Sequence, residues 1–290
     1  MQEFPFELRG HDGWPIRGEV RTPTGGPAQR VVVISHGFKG FKDWGFFPEL
    51  GRRLAAAGYA AVTFNFSGNG VGADPLRFTE EERFRDNTLT REIEDLAIVL
   101  EAALASELPG LGGQPARGPA LLGHSRGGLV SAVIATRDAR VRRLVTWNGV
   151  SELALRFPEP MRAEWRRQGF VEVVNSRTGQ VLNMGLAALD DLEAHLIDYA
   201  PVRIAPGVAI PWLIVHGTVD RTVGFEEAES MARAGRPDRV RLCPIPGGDH
   251  TMGVIHPYQK STAQLDQAVA ATLEFLAEDD AEGWEANSRG

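Results

Sequence analysis

The chain has 290 residues, and its 38 Asp and Glu against 31 Lys and Arg leave a formal charge of −7. That balance, with the basic residues scattered, argues against nucleic acid or an anionic membrane as a partner. Hydrophobic residues at 43% and charged residues at 24% describe an ordinary globule, long enough for one large domain with an insertion. Cys243 is the single cysteine, so an intrachain disulfide is excluded; it falls in a predicted strand and reads as core. No metal-ligand cluster and no cofactor motif is visible in the sequence. The first residues lack a basic segment followed by a long apolar stretch. The expectation is a cytoplasmic protein with no metal and no cofactor.

In chain order, residues 3–9 and 16–21 predict a hairpin across the turn at 11–15. Arg30-Val-Val-Val-Ile34 is a continuous apolar run, as expected of a central strand over 31–35 buried on both faces. A helix over 46–57 follows, ended by Gly58, and then a strand over 60–66. Leu89, Ile93, Leu96, Leu100 and Leu104 recur at a helical period and predict a helix over 88–105. A strand over 119–123, a helix to about 136 and a strand over 141–147 come next. Further strands are predicted over 210–216 and 240–245, with a last helix over 260–277. Strand and helix alternate, so the sheet is expected to be mostly parallel with helices on both faces. The acidic residues 278–290 read as a frayed tail.

Residues 123–128 read Gly-His-Ser-Arg-Gly-Gly, between the strand Ala120-Leu-Leu and the helix that starts near Leu129. A G-x-S-x-G pentapeptide is expected only about 0.1 times by chance in such a chain, and the strand–turn–helix setting sharpens the signal. A serine on this kind of elbow takes a strained backbone conformation that lifts its Oγ out of the sheet. Its neighbours two positions away must be very small, because strand and helix nearly touch. Ser125 is therefore the candidate nucleophile. The bland alternative is a glycine-rich turn whose serine caps the next helix.

A serine hydroxyl needs an imidazole base, and the imidazole needs a carboxylate to fix its tautomer. Asp220 and His250 each follow a predicted strand, on the sheet edge that carries Ser125. Asp220 is the candidate orienter and His250 the candidate base. His256 is the one rival base. Asp249, next to His250, reads as a loop-capping aspartate. His216 reads as structural beneath the acid loop, and His124 as pointing away along the turn.

Ser35-His36-Gly37-Phe38, Gly123-His-Ser-Arg-Gly-Gly128, His216-Gly-Thr-Val-Asp220 and Gly248-Asp-His250 resemble the α/β-hydrolase superfamily, in order and at its spacing. The chain looks most like its dienelactone-hydrolase-like and cinnamoyl or feruloyl-esterase-like serine hydrolases, through Asn87–Leu96. The resemblance implies an α/β-hydrolase fold, a mostly parallel eight-stranded sheet with a small cap insertion. It also implies an oxyanion hole made by the N–H groups of Phe38 and Arg126. One departure stands out: Phe64-Asn-Phe-Ser67-Gly-Asn-Gly70 lies where relatives carry Asp-x-Arg-Gly-His-Gly, so a local ion pair is lost.

Some sixty residues separate the strands at 141–147 and 210–216, far more than one crossover helix needs. The expected division is a core of 1–149 and 207–277, a cap of 150–206, and the tail. Val171–Leu182 reads as a small hairpin about residues 176–179, and Phe157, Met161, Trp165 and Phe170 cluster before it. Trp165 and Phe170 are the candidate substrate contacts in the cap, with Trp147 and Asn148 at their strand end. The expected activity is hydrolysis of a small to medium carboxylic ester through an acyl-enzyme. Thioester hydrolysis and peptide or aminoacyl amide hydrolysis are the rivals on the same residues. A non-enzymatic binding protein is disfavoured because all three triad residues are present. A homo-oligomer stays open.

Overall fold

Alternating exposure along Gln2–Arg9 (β1) and Pro15–Thr22 (β2) is the pattern of an antiparallel hairpin with one covered face. The computed structural model describes residues 1–72, 74, 77–112, 117–175 and 179–278. Val31–Ser35 (β3) follows, buried along its whole length, and then helix α1 (Phe47–Ala56) and strand β4 (Ala60–Asn65). A short helix, α2 (Glu81–Arg85), precedes α3 (Leu89–Leu104). Thr88 caps α3 by accepting the Arg91 N–H. Strand β5 (Ala120–His124) feeds α4 (Arg126–Arg137), and β6 (Arg143–Trp147) closes this part of the chain.

The segment after β6 carries α5 (Glu159–Gln168), the two-stranded sheet of β7 (Phe170–Val174) and β8 (Val181–Gly185), then α6 (Leu186–Ala194) and α7 (Pro201–Ile204). The expected hairpin is there; its turn, residues 176–178, lies outside the described residues. Strand β9 (Trp212–Gly217), helix α8 (Phe225–Ala234), strand β10 (Val240–Ile245) and helix α9 (Ala263–Ala277) complete the chain. The main sheet has eight strands in the order β1-β2-β4-β3-β5-β6-β9-β10. From β4 to β10 every pairing is parallel, and β2 alone runs against its neighbours.

The period of two sorts the core into two layers. Val31, Val33, Val62, Leu121, Leu144 and Ile214 face α3 and α4. Val32, Ile34, Leu122, Val145, Trp147 and Val215 face α1 and α9. This register corrects one expectation. Trp147 lies with Val145 in the layer under α1 and α9, fully buried, and its indole Nε1 donates to Thr272 Oγ1 of α9 at 3.0 Å. It does not line the cavity that Ser125 lines. The acidic tail, 278–290, is described only at its first residue. That residue, Glu278, accepts from Arg241 Nη1 at 2.8 Å and from Arg143 Nη1 at 3.4 Å, so it is docked rather than frayed. The rest of the tail, 279–290, lies outside the described residues.

Trp147→Ala should remove a large buried ring and one of the two hydrogen bonds of the Thr272 hydroxyl, which keeps its donation to the Ala268 oxygen. A loss of about 3–5 kcal/mol is expected in urea unfolding, with Ser125 chemistry affected only in proportion to the unfolded fraction.

Candidate active site

The parallel strands end together at one edge, and their C-terminal loops bring the predicted residues to one place. Ser125 sits between β5 and α4 with φ 55° and ψ −122°, a left-handed value that a non-glycine residue adopts only when its surroundings enforce it. The glycines show how. A Cβ on Gly123 would lie 2.2 Å from the Gly127 carbonyl oxygen, and one on Gly127 would lie 2.4 Å from the Ser35 oxygen. A Cβ on Gly37 would lie 2.8 Å from the Ser125 Cβ. The β3 loop thus packs directly on the serine.

His250 Nδ1–H donates to Asp220 Oδ2 at 2.7 Å. The other carboxylate oxygen, Oδ1, accepts from the N–H groups of Thr222 at 2.7 Å and Val223 at 3.0 Å. Burial pushes this carboxyl up. The hydrogen bond and charge of His250 and the two backbone donors outweigh it and hold Asp220 below the usual carboxylate value. Ser125 and His250 line a common cavity of about 340 Å³. No hydrogen bond yet joins Ser125 to His250; such contacts are often loose without substrate and tighten in the complex.

Phe38 and Arg126 also line the cavity. Neither backbone N–H has a hydrogen-bond partner among the described residues. The Arg126 guanidinium donates to Glu92, which also accepts from Asn87 Nδ2 at 2.8 Å, and lies 4.4 Å from the centre of the Phe38 ring. Phe84 stacks on Phe38 at 5.7 Å. His36 ties the same loop: its Nδ1–H donates to the Gly37 oxygen at 2.9 Å and its Nε2 accepts from the Phe66 N–H at 3.3 Å. Burial lowers the His36 pKa to about 4, so it stays neutral, as the second bond requires. Asn65, at the departure from the family pattern, accepts the Lys42 N–H at 2.7 Å; a neutral amide holds this loop without an ion pair.

The remaining candidates fall elsewhere. His256 Nδ1 accepts from the Gly45 N–H at 3.0 Å, and its ring packs on Trp44 and Phe41. Asp249 caps its own loop, accepting from Thr251 N at 2.9 Å and Gly253 N at 2.7 Å. His216 Nε2–H donates to the Val223 oxygen at 2.9 Å, beneath the acid loop. His124 does not point away. Its ring lies 4.8 Å from that of His250, and its Nε2–H donates to the His250 oxygen at 2.8 Å. Burial lowers its pKa to about 3.

Trp165 and Phe170 do not line the cavity. Trp165 is the one buried residue of α5, so it docks that helix by packing on Phe157 at 5.4 Å. Phe170 opens β7 opposite Gly185 and is half-buried. Leu153, Arg156, Phe157 and Val173 line the cavity from this segment instead. Asn148 was the least legible. Fully buried, with φ 47°, it accepts from the Gly217 N–H at 2.8 Å and donates to the oxygens of Asp249 at 3.1 Å and His250 at 2.9 Å. It therefore couples the loops of Asp220 and His250. The signal that could have found it is the Asn-Gly pair just past a strand.

The family model described as serine aminopeptidase, S33, matches residues 26–183. The chain belongs to this hydrolase family. The matched range contains Ser125 and the Gly37 loop and ends before Asp220 and His250. Among curated proteins the chain is similar to the human acylamino-acid-releasing enzyme, 26% identical over 81% of this chain and 29% of that one. The chain thus spans under a third of the length of the curated relatives it matches. Among solved structures it is similar to the α/β hydrolase GrgF from Penicillium sp. sh18, with a TM-score of 0.71, 15% identity, and coverage of 95% of this chain and 98% of that one. It is also similar to Est1E from Butyrivibrio proteoclasticus with ferulic acid bound, with a TM-score of 0.66, 20% identity, and coverage of 93% and 97%. These likenesses establish the α/β-hydrolase fold for the family member described here. Among the described residues, no helix is long and apolar enough to cross a membrane.

The buried neutral His36 has a consequence for acid stability. Its folded pKa, about 4, lies below the ordinary 6.5, so the unfolded chain takes up this proton first as pH falls. The His36 contribution should therefore be full above pH 6.5 and decline between pH 6.5 and 4. Asp95, raised by burial to about 7, works in the opposite direction over the same range. Urea unfolding from pH 8 to 4 should show a shallower acid loss in His36→Asn than in the parent chain. An identical slope would mean that His36 takes up its proton while folded.

Proposed function

We propose that this protein is a serine hydrolase of small to medium carboxylic esters, working through an acyl-enzyme. The observation that carries the reading is the convergence on one cavity of an elbow serine, two N–H groups without partners among the described residues, one on the β3 loop and one at the start of α4, and a histidine bonded to a buried aspartate. Ser125 Oγ attacks the ester carbonyl carbon, and its proton passes to His250 Nε2. Asp220 holds the ring in the Nδ1–H tautomer and stabilises the imidazolium. The Phe38 and Arg126 N–H groups receive the developing oxyanion, and the start of α4 adds its positive end. His250 returns the proton to the leaving alcohol, and water releases the acid by the reverse route. Asn148 and His124 are positioning residues that hold the backbone of the His250 loop. The segment 150–206 acts as a cap that walls the acyl pocket. The small-molecule ester is the only partner the reading requires, and no cofactor takes part.

A second reading has one observation behind it. The likeness to acylamino-acid-releasing enzymes favours N-acyl aminoacyl amides on the same residues. Removal of a free amino-terminal residue is less well supported. Gripping an ammonium calls for a carboxylate, and no Asp or Glu lines the cavity among the described residues.

A fluorophosphonate should label the protein once, on Ser125. Ser125→Ala should fold and lose ester turnover by a factor on the order of 10⁶. Labelling on another residue, or turnover by Ser125→Ala, would move the nucleophile.

Asp220→Asn should lower kcat about 10⁴-fold, because the amide favours the wrong imidazole tautomer. Asp249→Asn, which touches only its own loop, should cost far less. The reverse ranking would show that the orienter is Asp249. Rates on p-nitrophenyl butyrate and on N-acetylalanine p-nitroanilide, measured side by side, separate the ester reading from the amide one.

A further inference from the structure

The cavity is lined by the apolar residues Val150, Leu153, Phe157, Val173 and Val223, and Arg156 lines it with them. The cavity is also lined by Lys39 and Arg126, while no acidic side chain reaches it among the described residues. A cationic cavity in a chain of charge −7 runs against the overall balance. Two of the three cations already have defined tasks. Arg126 is taken up by Glu92 and the Phe38 ring, and Lys39 Nζ donates to the Val174 oxygen at 2.8 Å. Arg156 differs in access: its side chain is 31% exposed against 9% for Arg126, whose buried Nε also lacks a partner among the described residues. The Arg156 guanidinium makes one hydrogen bond, from Nη2 to Glu227 Oε1, and its Nε and Nη1 groups have no partner among the described residues.

Glu227 makes that single bond a fixed mount. It is buried at 7% exposure on α8, and its second oxygen accepts from Ser151 N at 3.0 Å and Ser151 Oγ at 2.8 Å. A carboxylate with three donors does not swing. The guanidinium it holds is therefore preorganised, one edge anchored and the other open, and a planar fork of this kind matches a carboxylate in bidentate fashion. The apolar surroundings strengthen a charged hydrogen bond made there. Glu227 offsets part of the charge, so the gain is set by the hydrogen bonds more than by long-range attraction.

We infer that Arg156 is a specificity-determining residue that binds a carboxylate carried by the substrate. The preferred substrate class is then an ester with an apolar body ending in a free carboxylate, such as a half-ester of a dicarboxylic acid. This rests on the hydrolase reading above. A purely structural Arg156–Glu227 tether would affect charged and neutral substrates alike, and that difference is what the experiment reads.

The test compares kcat/KM for p-nitrophenyl hemiglutarate, an anion at pH 7.5, with that for neutral p-nitrophenyl butyrate. Arg156→Gln alone leaves Glu227 buried without its cation and is at risk of unfolding. The Arg156→Gln, Glu227→Gln double variant removes both charges together and is measured beside it. The expected result is a fall in the anionic-to-neutral ratio of about 10-fold to 100-fold in the double variant, the scale of hydrogen bonds to a charged group. Loss of both rates in equal proportion, or an unchanged ratio, overturns the proposal. A binding measurement separates its failure from failure of the hydrolase reading. Calorimetric titration of monomethyl glutarate into Ser125→Ala should show affinity that the Arg156 changes abolish. Absence of that dependence overturns the carboxylate site whether or not either ester is turned over.

Discussion

Three stretches of main chain meet around Ser125 with no room for a single added carbon, and the geometry of the site depends on that contact. Gly123 lies against Gly127, Gly127 against the end of β3, and Gly37 against the serine itself. The closeness forces Ser125 into a left-handed backbone conformation and brings the β3 loop to the side of its hydroxyl. Strain at such a residue persists only when the surroundings over-determine it. Here they do: β5 is held on both sides by parallel strands, and α4 is buried along its first ten residues. The N–H groups of Phe38 and Arg126, two residues that line the cavity, have no partner among the described residues, because a helix start and a glycine loop both present unpaired donors.

The histidine side is built differently. His250 and Asp220 stand on loops, not on regular elements, and loops need bracing. Asn148 supplies it from the end of β6 with three hydrogen bonds to the two loops. His124 supplies another from the end of β5, and it must stay neutral to pack between Phe46, Phe47 and the His250 ring. The residues flanking Ser125 and ending the next strand thus position His250. The strands carry registration from one half of the site to the other, since His124 and Trp147 pair directly across β5 and β6.

The segment between β6 and β9 is attached to this frame at several points. Gln180 clips it to Phe78 through both amide atoms, at 2.9 and 3.1 Å, and Lys39 reaches it from the β3 loop. Arg156 and Ser151 tie its first residues to α8 through Glu227. A cavity wall fixed from three directions has a defined shape, which is what selection among similar substrates requires.

Much of this was legible in the amino-acid order. The unbroken apolar runs marked strands buried on both faces, and the helical period marked α3; both signals are local, because side-chain spacing follows backbone geometry. The elbow was legible for the same reason, since only glycine fits where strand and helix touch. Asp220 and His250 were legible as loop residues after strands, though their contact at 2.7 Å joins positions thirty residues apart and is made by the fold. What the tertiary structure alone decided was which face each side chain took. Trp147 and Trp165 look like pocket residues by type, yet register buried one under α9 and helix docking buried the other against Phe157. Asn148 left only the trace of an Asn-Gly pair after its strand, and His124 and the Arg156–Glu227 pair left no local signature, because their roles are hydrogen bonds between segments distant in the chain. Such contacts depend on how the layers settle against each other, and no spacing of neighbouring residues encodes that.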